Sequence, residues 1–278
     1  MKRFFGVFAL AVFVGAAAAS SALATHSWGS YHWARTSNPF TIKVGDNLTT
    51  ADWKSRLSQA SSDWNGSTVA QNTIVAGMAK GRCRPTSGRD EVCNSSYGAN
   101  GWLGLATIWI AGGVHITQGT VKLNDTYFSL STYNNPNEKQ HVVCQEVGHT
   151  WGLDHQDTSG ALYYTCMDYF SNTGGNATNS ASTSPNQGDY DQLLCIYDPA
   201  SNGATLRSTT NGISHTCTGT GHLDSSTTIG AGSSAGAAAA EVPPWANPSE
   251  SVYVDHLPNG ESQVTYVLWA NPIHGWGG

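Results

Sequence analysis

Four side chains in one short stretch have the types and spacing to work on a metal ion. Gln145, His149 and His155 offer an amide oxygen and two ring nitrogens, and Glu146 adds a carboxylate beside them. In a helix, positions 145 and 149 lie one turn apart on the same face, so both can point at one ion. Glu146, next to the first of them, is then placed to act as general base on a metal-bound water. Gly152 can take the left-handed conformation that ends the helix and turns the chain back, letting His155 supply a third ligand. The glutamine is the unusual member. Its side-chain oxygen lies as many bonds from Cα as the Nε2 of a histidine, and it is neutral, so the centre keeps the charge of three imidazoles and should still acidify water. Amide oxygen is a harder, weaker donor than imidazole toward zinc, so affinity is where the cost is expected. His141 is no substitute: it stands about 12 Å along the axis from His149 in an unbroken helix and reads as a polar residue near the helix start.

The stretch from Gln145 to His155 reads QEVGHTWGLDH and is followed by Cys166-Met167-Asp168-Tyr169. Together they resemble the metzincin metallopeptidases, matching the HExxHxxGxxH helix except that Gln145 stands at the first histidine, and the local wording is most similar to the matrixin branch. Chance should produce Glu, His, Gly and His at these offsets in on the order of one chain per thousand of this length. The resemblance implies a Zn2+ ion held by Gln145, His149 and His155, with Glu146 as catalytic base and Met167 in the Met-turn. Tyr169, at the Met-x-Tyr spacing, is the expected oxyanion stabiliser. The opening Gly104-Leu105-Ala106 resembles the edge strand along which a matrixin substrate lies antiparallel, which makes Leu105 and Ala106 candidate substrate-strand residues; an ordinary core strand reads equally well. A structural Ca2+ is also implied, although no loop has a specific calcium-ligand spacing. The implied fold is a metzincin-like α/β domain with a twisted, mostly parallel sheet, an active-site helix and a smaller helical C-terminal subdomain.

The resemblance thus points to a secreted, monomeric zinc endopeptidase acting on a protein or peptide substrate. A second class stays open: an extracellular binding or scaffold protein that keeps the fold but not hydrolysis. Retention of Glu146 favours the enzyme, since a binding module has no chemical need for a base there, whereas loss of the histidine favours the alternative.

Several elements must position these groups. Asn135, Pro136 and Glu138 give an N-cap, a first-turn proline and an N3 acid just upstream of the motif. Residues 40–44 alternate as a strand, and residues 49–64 form a helix with Trp53, Leu57, Ala60 and Trp64 on one face. Residues 104–110 and 120–123 are further strands. Residues 171–184 are rich in Ser, Thr, Asn and Gly and are expected to wall the pocket that sets specificity. The segment Ser184-Pro185-Asn186-Gln187 reads as a capping box opening a helix whose apolar face is Tyr190, Leu193, Leu194 and Tyr197.

At the chain start, Lys2 and Arg3 precede an apolar run and the small-residue site Ala22-Leu23-Ala24, the pattern of a cleaved signal peptide over residues 1–24. The catalytic unit is expected over 25–198, a Ser/Thr/Gly/Ala-rich linker over 199–250, and a C-terminal β-hairpin segment over 251–278. That hairpin, with strands at 251–255 and 263–269 around Asn259-Gly260, is too small to fold alone and must add to the domain or to something outside it. No other segment is apolar and long enough to span a membrane. Without Lys2 and Arg3 the formal net charge of −6 becomes about −8, which argues against nucleic acid or an anionic membrane as partner.

Six cysteines in an exported chain read as three disulfides. Proximity suggests Cys83 with Cys93, Cys144 with Cys166 and Cys195 with Cys217, while spacing alone leaves other pairings open. Cys144 abuts Gln145 and Cys166 abuts Met167, so the middle bridge would fasten the metal helix to the Met-turn. Arg82-Cys83-Arg84-Pro85 weakly resembles a cysteine switch, but Cys93 is near enough for a disulfide. Residues 25 to 39 are too few for an inhibitory prodomain, so the sequence offers no device for latency.

Overall fold

The computed structural model describes residues 26–157, 162–170, 182–198, 200, 205–207, 214–217, 223–224 and 250–270. The signal-peptide segment and nearly all of the 171–184 specificity segment lie outside the described residues. In chain order the elements are β1 (His32–Trp33), β2 (Phe40–Asn47), α1 (Ala51–Trp64), β3 (Ala70–Ala76), β4 (Asp90–Ser95), β5 (Trp102–Ala111) and β6 (His115–Asn124). They continue with α2 (Asp125–Phe128), α3 (Pro136–Thr150), α4 (Gln187–Tyr197), β7 (Thr205–Arg207), β8 (Ser214–Thr216), β9 (Val252–His256) and β10 (Ser262–Trp269).

Local chemistry explains most boundaries. Thr50 caps α1 by accepting from the Trp53 amide, and the predicted stripe of Trp53, Leu57, Ala60 and Trp64 is buried. Asn135 caps α3, with Pro136 in its first turn. The start of α4 is one turn's detail away from expectation: the capping box uses Asn186 and Asp189, not Ser184 and Gln187. An Asn side chain reaches the first free amides as well as a serine does, and Asp189 returns the bond to the Asn186 amide.

Eight strands form one sheet in the order β3-β2-β4-β6-β5-β10-β9, with β1 also paired to β6. The β1–β6, β2–β3, β2–β4 and β4–β6 ladders are parallel. Those between β5 and β6, β5 and β10, and β9 and β10 are antiparallel. The sheet is therefore mixed, four parallel ladders to three antiparallel, and the C-terminal hairpin adds two of the antiparallel ones. The hairpin itself forms where predicted, with Gly260 at φ 82° in its turn, and it joins the main sheet. Helix α3 packs against β5, β6, β10 and α1.

All three proximal cysteine pairs are bridged: Cys83–Cys93, Cys144–Cys166 and Cys195–Cys217. The third bridge, the β7–β8 pair and a contact of Asp224 with Arg35 tie parts of the 199–250 stretch to the domain. Where described, that stretch is attached chain and not a free linker. Among the described residues no helix is long and apolar enough to cross a membrane.

Candidate metal centre

Helix α3 is held from three sides. Gly148 is the close-approach point: a Cβ there would stand 2.6 Å from the Met167 sulfur and 2.6 Å from the Trp64 ring. Met167 is fully buried and so packs directly under the helix turn that carries His149. The Cys144–Cys166 bridge fastens the same two segments. On the sheet side, a Cβ on Gly104 of β5 would stand 2.4 Å from a Glu146 carboxylate oxygen, so β5 lies against that carboxyl. At the helix end Gly152 has φ +90°, and a Cβ would meet the Tyr31 carbonyl oxygen at 2.3 Å. Both the backbone sign and the contact require glycine, and the turn it makes brings His155 back.

His149 and His155 meet through their Nε2 atoms at 3.1 Å, with rings edge-on at 4.6 Å. Two nitrogens on one tetrahedral zinc stand about 3.3 Å apart, given Zn–N bonds of roughly 2.0–2.1 Å. His149 Nδ1 lies 2.9 Å from the Leu153 carbonyl, which can only accept, so Nδ1 carries the proton and Nε2 keeps its lone pair. Burial lowers the His149 pKa to about 3 and that of His155 well below the usual range. Both rings are thereby held in the neutral form that a metal takes.

Gln145 is oriented by the Met-turn. Its amide nitrogen donates to the Cys166 carbonyl at 2.9 Å and to the Asp168 carbonyl at 2.8 Å. Flipping the amide would set oxygen against two acceptors, so the arrangement fixes Oε1 as the remaining atom. That oxygen is buried and makes no hydrogen bond. An orphaned amide oxygen one helix turn from His149, whose ring meets that of His155, fits a zinc donor set of one oxygen and two nitrogens.

Glu146 is fully buried, and neither carboxylate oxygen has a partner of good geometry. Burial pushes its pKa well above the usual carboxylate range, with the nearby Ala106 amide pulling the other way. Tyr169 sets its ring edge-on to His155 at 4.9 Å, and burial raises its pKa to about 12. Gln145, Glu146, His149, His155, Met167 and Tyr169 are thus brought to one place, and the His141 ring, two turns before His149, is held by the Ser182 carbonyl.

Leu105 and Ala106 lie within β5. They pair with Lys122 and Val121 of β6 on one side and with Val267 and Tyr266 of β10 on the other. β5 is therefore an interior strand in this state, in line with the core-strand alternative, and β10 occupies the edge that a substrate strand would use. The residue that sequence reasoning missed is Tyr266, which stacks on His149 with ring centroids 4.2 Å apart. Trp269 was missed too; its backbone lies near the Tyr169 hydroxyl and lowers the Tyr169 pKa against the effect of burial. Alternation in 262–269 marks a strand, but nothing in it names the neighbour.

No protein-family model and no curated protein matches the chain. Among solved structures it is similar to a structure of myroilysin, at 15% identity over 62% of this chain and 97% of that one, with a TM-score of 0.35. A crystal structure of myroilysin gives 14% identity, 63% and 95% coverage and a TM-score of 0.34. High choriolytic enzyme 1, a hatching enzyme zinc-protease from the medaka Oryzias latipes, gives 13% identity, 60% and 94% coverage and a TM-score of 0.32. Superpositions this loose assign neither fold family nor activity.

Proposed function

We propose that the chain is a secreted zinc-dependent endopeptidase whose centre is Gln145, His149 and His155, with Glu146 as base. The observation that carries this reading is the approach of the His149 and His155 Nε2 atoms to 3.1 Å beside the helix turn that presents the orphaned Gln145 oxygen and the Glu146 carboxyl. Zinc, when bound there, supplies Lewis-acid polarisation of the scissile carbonyl and acidifies water. Glu146 takes a proton from the attacking water and passes it to the leaving amine. Burial raises its pKa above the usual carboxylate range, which makes it a stronger base toward the water. Tyr169, ordinarily protonated, donates its hydroxyl hydrogen to the developing oxyanion. Three disulfides support an oxidising, extracellular location.

The centre is closed in this state. Gln145 and Glu146 are 0% exposed and His149 is 1% exposed, with β10 lying along β5. Catalysis on this reading requires β9 and β10 to leave, after which the vacated β5 edge takes the substrate as an antiparallel strand. The same burial favours the second reading, a pseudoprotease in which Tyr266 has become a permanent part of the core. Zinc analysis of the purified protein, with cleavage of a peptide library before and after removal of the hairpin, separates the two. Zinc near one equivalent with hydrolysis after removal supports the enzyme, and zinc-free protein inert in both forms supports the pseudoprotease.

A further inference from the structure

We propose that His32, His115 and Asp224 form a further metal site, built for a zinc-type divalent cation and separate from the α3 centre. Among the described residues this is the cluster in which three His, Cys, Asp or Glu side chains bring one ligand atom each within 4.8 Å of one another. None of the three lies in α3 or the Met-turn.

Backbone pairing places the two histidines. The short parallel ladder between β1 and β6 sets His32 opposite His115, and the rings meet edge-on with centroids 4.8 Å apart. Asp224 comes from 109 residues beyond His115 in the chain. Its amide donates to the Arg35 carbonyl at 2.7 Å and one carboxylate oxygen accepts from the Arg35 amide at 3.0 Å, so the carboxyl is fixed by two backbone bonds. The other oxygen stands 3.0 Å from His115 Nε2.

The donor chemistry suits zinc. Two imidazoles and one carboxylate form a mixed nitrogen and oxygen set of the kind zinc accepts, with a fourth position left for water. His32 Nδ1 lies 2.6 Å from the Ser30 carbonyl, which accepts only, so Nδ1 carries the proton and Nε2 presents its lone pair. That outer bond is the usual way a ligand histidine is oriented. The Arg35 guanidinium, 3.7 Å from Asp224, works against a cation, but it faces the oxygen on the far side from His115. A His115–Asp224 ion pair alone would account for two members of the cluster. It would not account for the buried second imidazole, His32, whose ring meets that of His115 edge-on and is oriented by the Ser30 carbonyl. A cation here would clamp the N-terminal segment, β6 and the chain beyond α4 to one another.

The test is zinc stoichiometry and affinity, by chelator competition on the full chain. The parent, His115→Ala, Asp224→Asn and His149→Ala are compared. If both centres bind, the parent holds two zinc ions, and His115→Ala and His149→Ala each hold one. If the α3 centre is empty, the parent holds one ion that His115→Ala removes and His149→Ala retains, so the two readings fail separately. Asp224→Asn keeps the side-chain shape and should weaken the affected ion at least about tenfold, which covers the case in which His115→Ala does not fold. A His149→Ala chain loaded with cobalt(II) should show the visible absorption of a four-coordinate ion. Parent-like stoichiometry and affinity in both His115→Ala and Asp224→Asn, or no cobalt absorption in His149→Ala, overturns the proposal.

Discussion

Tyr266 lies flat on His149, its ring 4.2 Å away and 7° from parallel, while its strand fills the side of β5 that faces the candidate centre. The contact couples the C-terminal hairpin to the metal-ligating face of α3. A substrate strand and β10 would compete for the same backbone groups of Leu105 and Ala106. A chain ending before residue 250 should therefore hydrolyse peptides at least about tenfold faster than the full chain, equivalent to roughly 1.4 kcal/mol of released competition. Tyr266→Ala should fall between the two. Equal rates in all three proteins, with folding checked by circular dichroism, would show that β10 does not guard the centre.

Glu146 is buried against Gly104 and is no ligand in the proposed set. Replacing it with glutamine preserves size and removes the proton carrier. Hydrolysis by Glu146→Gln should drop at least about a hundredfold while zinc content stays at the parent value. Activity within a few-fold of the parent would remove Glu146 from the mechanism.

The Cys144–Cys166 bridge closes a loop of 22 residues between the metal helix and the Met-turn. Cys144→Ser should lower stability by roughly 2–4 kcal/mol. Because Gln145 bonds to the Cys166 carbonyl, zinc affinity should weaken in parallel. A denaturant titration paired with the chelator assay checks both, and a stability change without an affinity change would uncouple the bridge from the centre.

The candidate metal helix was legible because every signal in it is local: a cap at Asn135, candidate ligands four residues apart, and a glycine where the chain must reverse. Pairing of the cysteines followed from proximity for the same reason. Strands β3 and β4 gave no such signal. β4 carries Asp90, Glu91 and Asn94 inside the protein, where they bond to Thr150, Asn47 and Thr49, so its burial is not written as apolar alternation. The hairpin could be read as a hairpin, but not its place on β5, since a strand's own residues do not encode which distant edge it joins. The His32, His115 and Asp224 cluster was hidden likewise, its members lying far apart in sequence.

Asp90 offers a pH test of the core beneath α3. It is fully buried, accepts from the Thr150 hydroxyl at 2.9 Å, and has its pKa raised from 3.8 to about 8, chiefly by burial. The native state therefore holds a proton that the unfolded chain has released. This contribution is whole below about pH 4 and is lost as pH rises toward 8. His149 and His155 act in the opposite sense and only below their unfolded pKa near 6.5. Between pH 6.5 and 8 the parent should lose about 2 kcal/mol more stability than Asp90→Asn, at up to roughly 1.4 kcal/mol per pH unit. Parallel stability profiles for the two proteins across that window would mean Asp90 is already ionised in the fold.

Gln145→His separates a weak centre from a lost one, and the structure shapes what it should do. Imidazole is the better zinc donor, so zinc binding should tighten at least about tenfold, on the order of 1.4 kcal/mol. The amide nitrogen that is removed bridges the Cys166 and Asp168 carbonyls, and an imidazole with its Nε2 on the metal has one N–H left to serve both. One buried acceptor loses its donor, which should lower the stability of the metal-free protein by roughly 1–3 kcal/mol. The predicted signature is thus opposed: tighter zinc and higher activity at limiting zinc, with a lower melting temperature in chelator. The melting temperature should recover when zinc is added, because binding to the native state alone raises stability. Chelator competition and thermal melts on parent and variant, run side by side, read both halves. Unchanged zinc affinity in Gln145→His, with neither protein hydrolysing peptides after the hairpin is removed, would transfer the case to the pseudoprotease.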